Sequence, residues 1–234
     1  MKKILMPLFA LCTVMLISSF VQSQDAESLL QKVKAKIDKV NNYQASGKMK
    51  TNVAFLKVPV ANVTIYFKKP DKLKIKNEKG LSFVPKGAVN INLNSILSSN
   101  KYSVIDAGTD KIGGKAVRVI KLLPEDDNAD VVLSTLYIDE TNLVIKKAKT
   151  TTRENGSYEL EMTYGKYTEY GLPDKVVFSF NTKDYKLPKG VTFDFDDGTS
   201  AKKPVDASKK KKGKAEITFS SYTINKGIDD NVFK

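Results

Sequence analysis

Residues 62–76 read NVTIYFKKPDKLKIK, and their reading decides the fold. Val63, Ile65 and Phe67 alternate with Asn62, Thr64 and Tyr66; Leu73 and Ile75 alternate with Lys72, Lys74 and Lys76. A period of two sends successive side chains to opposite sides of a strand, so each strand buries one face and wets the other. Pro70 and Asp71 stand between the two runs and supply a turn. The unit is an antiparallel hairpin with an apolar side and a lysine side.

Working outward, the same alternation recurs to the C-terminus. Tyr102–Asp110 and Lys115–Leu123 flank Gly113-Gly114, a hairpin signal. Val131–Asp139 and Leu143–Thr152 flank Glu140-Thr141-Asn142, and Asn155-Gly156 marks a tight turn. Tyr158, Leu160, Met162 and Tyr164 form one more apolar set, as do Val176, Phe178 and Phe180, then Val191, Phe193 and Phe195, and finally Ile217 and Phe219. About ten strands joined mostly by short turns favour a meandering sheet that curls. Residues 86–99 interrupt the pattern; Ile91, Leu93, Ile96 and Leu97 suit a short helix or a lid-like loop.

Toward the N-terminus the period changes. Leu29, Leu30, Val33, Ile37 and Val40 recur at helical spacing with lysines opposite, which predicts one amphipathic helix over Asp25–Asn42, N-capped by Asp25. Before it, Lys2 and Lys3, the apolar run Ile4–Ile17, and small residues up to Ser23 have the order of a secretory signal cut near Ser23/Gln24. The run is shorter than the ~20 residues of a spanning helix. The only cysteine, Cys12, lies inside this signal with Leu11 before it, so it is read as a passive core residue, not a lipidation site. The expected mature chain, 24–234, is then one domain without thiols, its net charge of +13 falling to +11 with the loss of Lys2 and Lys3.

The chemistry available is sparse. There is no histidine, and the mature chain has no cysteine, which removes the commonest bases, metal ligands and thiol nucleophiles. Acidic clusters at Glu125, Asp126, Asp127 and Asp130, and at Asp194, Asp196 and Asp197, lack the spacing of a calcium loop. Nothing resembles a phosphate loop or a nucleic-acid platform. No enzyme, no metal and no cofactor are expected. Residues 196–214 form a basic loop with seven lysines and one acid between Lys202 and Lys214. Within it, Lys209, Lys210, Lys211 and Lys212 are candidate contacts for an anionic membrane surface. The apolar side of so many strands must be buried: the sheet either closes and fills with side chains or curves around a cavity that a ligand fills.

The chain resembles the LolA-type lipoprotein carriers, including the broader group of outer-membrane lipoprotein-sorting proteins. Three stretches carry the resemblance: Val40-Asn41-Asn42-Tyr43-Gln44-Ala45, Val63-Thr64-Ile65-Tyr66-Phe67-Lys68-Lys69-Pro70-Asp71-Lys72-Leu73, and Tyr222-Thr223-Ile224-Asn225-Lys226-Gly227-Ile228-Asp229-Asp230. The resemblance implies a mainly β fold with α: a strongly curved antiparallel sheet, an incomplete β-barrel, with an N-terminal helix and short lid segments over its concave apolar face. It implies a monomeric periplasmic carrier that holds lipoprotein or lipid acyl chains and passes them from an inner-membrane donor toward an outer-membrane acceptor. On that reading the cavity wall comprises Met49, Ile65, Phe67, Leu73, Ile75, Phe83, Val119, Leu136, Ile138, Met162 and Phe178. Ile96 and Leu97 belong to the lid. The family's carriers have an arginine before the proline that holds the lid shut; this chain has Lys69, a point charge without the planar fork. The alternative is a non-catalytic envelope sensor or protein-interaction module on the same fold.

Overall fold

The structure is a computed structural model, and it describes residues 25–53, 56–57, 60–70, 72–77, 102–127, 129–154, 156–181 and 212–234. The expected signal, most of the expected basic loop, the expected lid segment with Ile96 and Leu97, and the expected strand around Phe193 lie outside the described residues.

A helix, α1, is helical through residues 25–37. Eleven strands follow: β1 (Asn42–Val53), β2 (Leu56–Lys57), β3 (Ala61–Lys68), β4 (Lys72–Asn77), β5 (Tyr102–Ile112), β6 (Lys115–Pro124), β7 (Val131–Asp139), β8 (Val144–Thr152), β9 (Ser157–Thr163), β10 (Lys175–Asn181) and β11 (Lys212–Ile224). All pair in one antiparallel sheet in the order β4-β3-β1-β11-β10-β9-β8-β7-β6-β5, with β2 beside the end of β1. From β5 to β11 the chain meanders; β11 then returns to pair with β1. The sheet is not closed: β4 and β5 are its two ends. The expected open, curved antiparallel sheet is the fold found.

Most strand ends fall within two residues of the sequence reading, and the larger differences lie at α1 and at the start of β11. Asp25, expected as the N-cap, is itself helical, and α1 stops at residue 37 instead of running to Asn42. Residues 212–214, read as loop, open β11 and pair with 179–181.

The register places the apolar residues in rows on one face. One row crosses eight strands as Thr51, Ala215, Phe178, Leu160, Ala148, Leu136, Ile120 and Asp106. Another runs Ala61, Met49, Ile217, Val176 and Met162. A third joins Phe67 to Tyr43 and Leu73. Alternation then fixes the opposite set of residues on the convex side. At Ser46/Gly47 a bulge adds a residue to β11, so Phe219 and Tyr222 both face inward. Gly47 is required there, because a Cβ would stand 2.6 Å from the Thr218 carbonyl oxygen.

The helix lies in this concave face. Ala26, Leu29, Leu30 and Val33 are buried together with Ile120, Leu122, Leu136, Ile138, Leu160, Met162 and Phe178. Its apolar stripe is the one that the sequence spacing exposed. A second cluster, Ala45, Met49, Val63 and Ile65, occupies β1 and β3, and Leu73, Ile75, Ile217 and Phe219 pack on it half-buried.

Candidate binding site

Where α1 ends, the concave face opens. A cleft of about 120 Å³ is lined by Ile37 and Val40 at the helix end, Tyr43, Phe67 and Leu73 on β1, β3 and β4, Met162 and Val176 opposite, and Phe219 and Tyr222 on β11. Its lining is almost wholly apolar, with phenols as the polar exceptions. The rings form one cluster: Tyr43 lies 5.2 Å from Phe67 and 5.4 Å from Tyr222, and Tyr222 lies 5.0 Å from Phe219 and 4.9 Å from Tyr167, centroid to centroid. Such pairs add about 0.5–1.5 kcal/mol each beyond area burial, so the cleft wall is stiff. The Tyr222 hydroxyl donates to the Pro173 carbonyl at 2.7 Å. Burial pushes the Tyr43 and Tyr222 phenols well above the ordinary tyrosine value, so both stay neutral.

A larger hollow of about 460 Å³ is lined chiefly by convex-face groups, among them Lys149, Ser157, Glu159, Glu161, Ser179 and Lys214. Its charges answer one another: Lys147 meets Glu159 at 2.8 Å and Glu161 at 3.6 Å, and Lys149 meets Glu159 at 3.7 Å. That surface is polar and its glutamates are paired with lysines, and the smaller apolar cleft is the candidate site.

The corner that carries the cleft is clasped from three sides. Asn225, in the left-handed region at φ 57°, accepts through its side-chain oxygen from the Asn41 N–H at 2.7 Å and donates to the Lys39 carbonyl at 2.8 Å. The Asn42 side chain accepts from the Gly227 N–H at 2.9 Å. Lys69 donates through Nζ to the Asp38 carbonyl at 2.7 Å and its carboxylate at 3.0 Å. Burial opposes charge on Asp38, but hydrogen bonds from Lys34 and Lys69 outweigh it and hold the carboxyl below the usual aspartate value. These bonds draw residues 38–42 out of the helix and into β1, which is why α1 is shorter than its periodicity. The three stretches that carried the family resemblance therefore meet at one place: 40–45 enters β1, 63–73 supplies β3, Lys69 and β4, and 222–230 supplies Asn225 and Gly227.

The expected wall residues divide into groups. Phe67, Leu73 and Met162 line the cleft. Met49, Ile65 and Ile75 belong to the neighbouring cluster on the same face. Leu136, Ile138 and Phe178 are on that face too, but packed under α1. Val119 is a correction: it pairs with Tyr137, alternates with Ile120, and so faces the convex side. Phe83, Ile96, Leu97, Lys209, Lys210 and Lys211 lie outside the described residues, and Lys212 is the first residue of β11. The described partners of the Lys69 side chain are the two Asp38 oxygens. Sequence reasoning missed Tyr43, Phe219 and Tyr222 as wall, although all three sit in apolar alternation or in the closing motif. It also missed the Arg118–Asp106 ion pair on the inner face, whose Asp106 side chain is 5% exposed. Among the described residues no group of three or more His, Cys, Asp or Glu is placed to hold a metal ion, and no helix is long and apolar enough to cross a membrane.

These features define a class by architecture: an incomplete antiparallel barrel with a helix laid in its mouth. Solved structures of that class match the chain. A domain from Vibrio parahaemolyticus named for outer membrane lipoprotein sorting superposes with a TM-score of 0.59 at 11% identity, over 90% of this chain and 97% of that one. A DUF1329-family protein from Desulfovibrio piger gives 0.56 at 10% identity, over 89% and 97%. A LolA-superfamily protein from Nitrosomonas europaea gives 0.52 at 11% identity, over 89% and 97%. The expected LolA-type fold is thus the fold of this chain. No family model and no curated protein sequence matches it.

Proposed function

We propose that this protein is an exported, non-catalytic carrier that holds acyl chains of a lipoprotein or another lipid against its concave face and delivers them toward the outer membrane. The observation that carries the reading is the cleft beside α1, where Tyr43, Leu73, Val176, Phe219 and Tyr222 stay half-buried beyond the end of the helix, over a floor that includes the buried Phe67 and Met162. Exposed apolar surface of this kind marks a binding face. The three fold neighbours, two of them named for lipoprotein sorting or for LolA, support it. Affinity would come from burial, about 0.8 kcal/mol per methylene. Met49, Ile65, Phe67, Leu73, Ile75 and Met162 are the proposed wall, with Tyr43, Phe219 and Tyr222 added, and Phe83, Ile96, Leu97 and Lys69 remain proposed parts of the wall and lid.

The reading is tested by titrating delipidated protein with a fluorescent fatty acid. Saturable uptake is expected, weakened in Leu73→Asp, whose side chain is half-buried in the cleft wall, and unchanged in Val119→Thr, whose side chain faces the other way. Absence of uptake, or equal loss in both variants, would overturn it.

A further inference from the structure

The convex side of the sheet is divided electrically. On β8, β9, β10 and β11, lysines alternate with glutamates across the strands: Lys147 and Lys149 with Glu159, and Lys175 with Glu216 at 2.8 Å. On β1, β3 and β4 the pattern stops. The register sends Lys48 and Lys50 of β1, Lys68 of β3, and Lys72, Lys74 and Lys76 of β4 to the convex side. These three strands contain no acid at all. Lys68 and Lys72 are directly opposed in register, an arrangement that costs stability between like charges.

Part of this charge is answered within the molecule. Asp230 bridges Lys68 at 3.0 Å and Lys72 at 2.9 Å, and Lys74 donates to the Lys234 carbonyl. Lys48, Lys50 and Lys76 are exposed; Glu216 of β11 stands opposite Lys50 but bonds Lys175 at 2.8 Å, and no carboxylate stands opposite Lys48 or Lys76 in the register. Lys76 instead lies over the Tyr66 ring, 5.3 Å from its centroid, on the same surface. Several exposed lysines spread over three strands around a tyrosine fit an extended anionic surface better than a single small anion. Tyrosine is suited to the headgroup level of a membrane, and each lysine near an anionic surface contributes attraction that salt screens.

We infer that the convex face of β1, β3 and β4 docks on an anionic phospholipid bilayer. The partner is the lipid surface itself. The same strands carry the cleft on their other side, through Tyr43, Phe67 and Leu73. Docking there sets the β4 edge, and with it one wall of the cleft, against the membrane. The contact is separate from the acyl-chain reading: it concerns the outer side of the wall and stands or falls by headgroup charge.

Flotation of the mature protein with phosphatidylcholine vesicles, with and without phosphatidylglycerol, tests it. Binding is expected only to the anionic vesicles and is expected to fall as salt rises. The triple variant Lys48→Gln/Lys50→Gln/Lys76→Gln should weaken it by about 100-fold, taking each lysine as a few-fold contribution. Lys147→Gln/Lys175→Gln on the balanced half should bind as the parent does. The triple variant should melt close to the parent, since all three side chains are exposed, so a folding defect is readily recognised. Three results would overturn the inference: full binding by the folded triple variant, loss of binding on neutralising Lys209–Lys212 alone, or capture of an acidic protein or nucleic acid with no binding to anionic vesicles. Fatty-acid uptake by the triple variant, measured alongside, should be unchanged and keeps the two proposals apart.

Discussion

At the scale of the residue, Asp38 decides where the helix ends. Its carboxylate takes hydrogen bonds from Lys34 at 2.7 Å and Lys69 at 3.0 Å, and its folded-state pKa lies below the ordinary 3.8. A depressed carboxylate pKa stabilises the fold above the unfolded value and loses that contribution as the pH falls through the folded one. Stability of the parent relative to Asp38→Asn should therefore be constant at neutral pH and decline below about pH 3.8, as denaturant melts across an acid series would record. A second residue points the other way. Thr51 is 8% exposed, and its hydroxyl is the buried side-chain oxygen that lacks a partner among the described residues. An unsatisfied buried hydroxyl costs about 1–3 kcal/mol, so Thr51→Val should raise the unfolding free energy by about 1 kcal/mol. Val119 shows where residue-level reading fails. In Ala116-Val117-Arg118-Val119-Ile120-Lys121-Leu122 both parities carry apolar side chains, and only pairing with β7, Ile120 to Leu136 and Val119 to Tyr137, says which points inward.

At the scale of the element, α1 is the fold's internal filling. Leu30 and Val33 are 1% and 0% exposed, buried among residues from β6 to β11. Leu30→Ala should cost about 2–5 kcal/mol by equilibrium denaturation, the range for a fully buried leucine. An exposed lysine of the same helix such as Lys32 should tolerate alanine. The stripe of α1 was plain in the sequence because the 3.6-residue period extends over four turns. Its end was not, because the residues that terminate it, Lys69 and Asn225, are distant in sequence and act through side chains. Strands bounded by strong turn residues were equally plain: Gly113 and Gly114, both at positive φ, separate β5 from β6 as read. The start of β11 was hidden, because a lysine run that reads as solvated loop enters the sheet only by pairing with β10.

At the scale of the whole molecule, hairpin neighbours were legible and the closing contact was not. Short connections dictate β5 through β10, whereas the pairing of β11 with β1 joins residues nearly the whole chain apart, and no local signal specifies it. That pairing makes the sheet one continuous concave surface, with α1 over one half and the aromatic cleft at the other. It also places the lysine face of β1, β3 and β4 on the outer side of the same wall. The central claim is that this concave face carries lipid. The most direct measurement is native mass spectrometry of the protein isolated from its own cells without detergent. A population heavier than the bare chain by the mass of an acylated molecule, released as lipid on denaturation and reduced in Leu73→Asp, is the expected result. A single species at the polypeptide mass that also takes up no added lipid would contradict it.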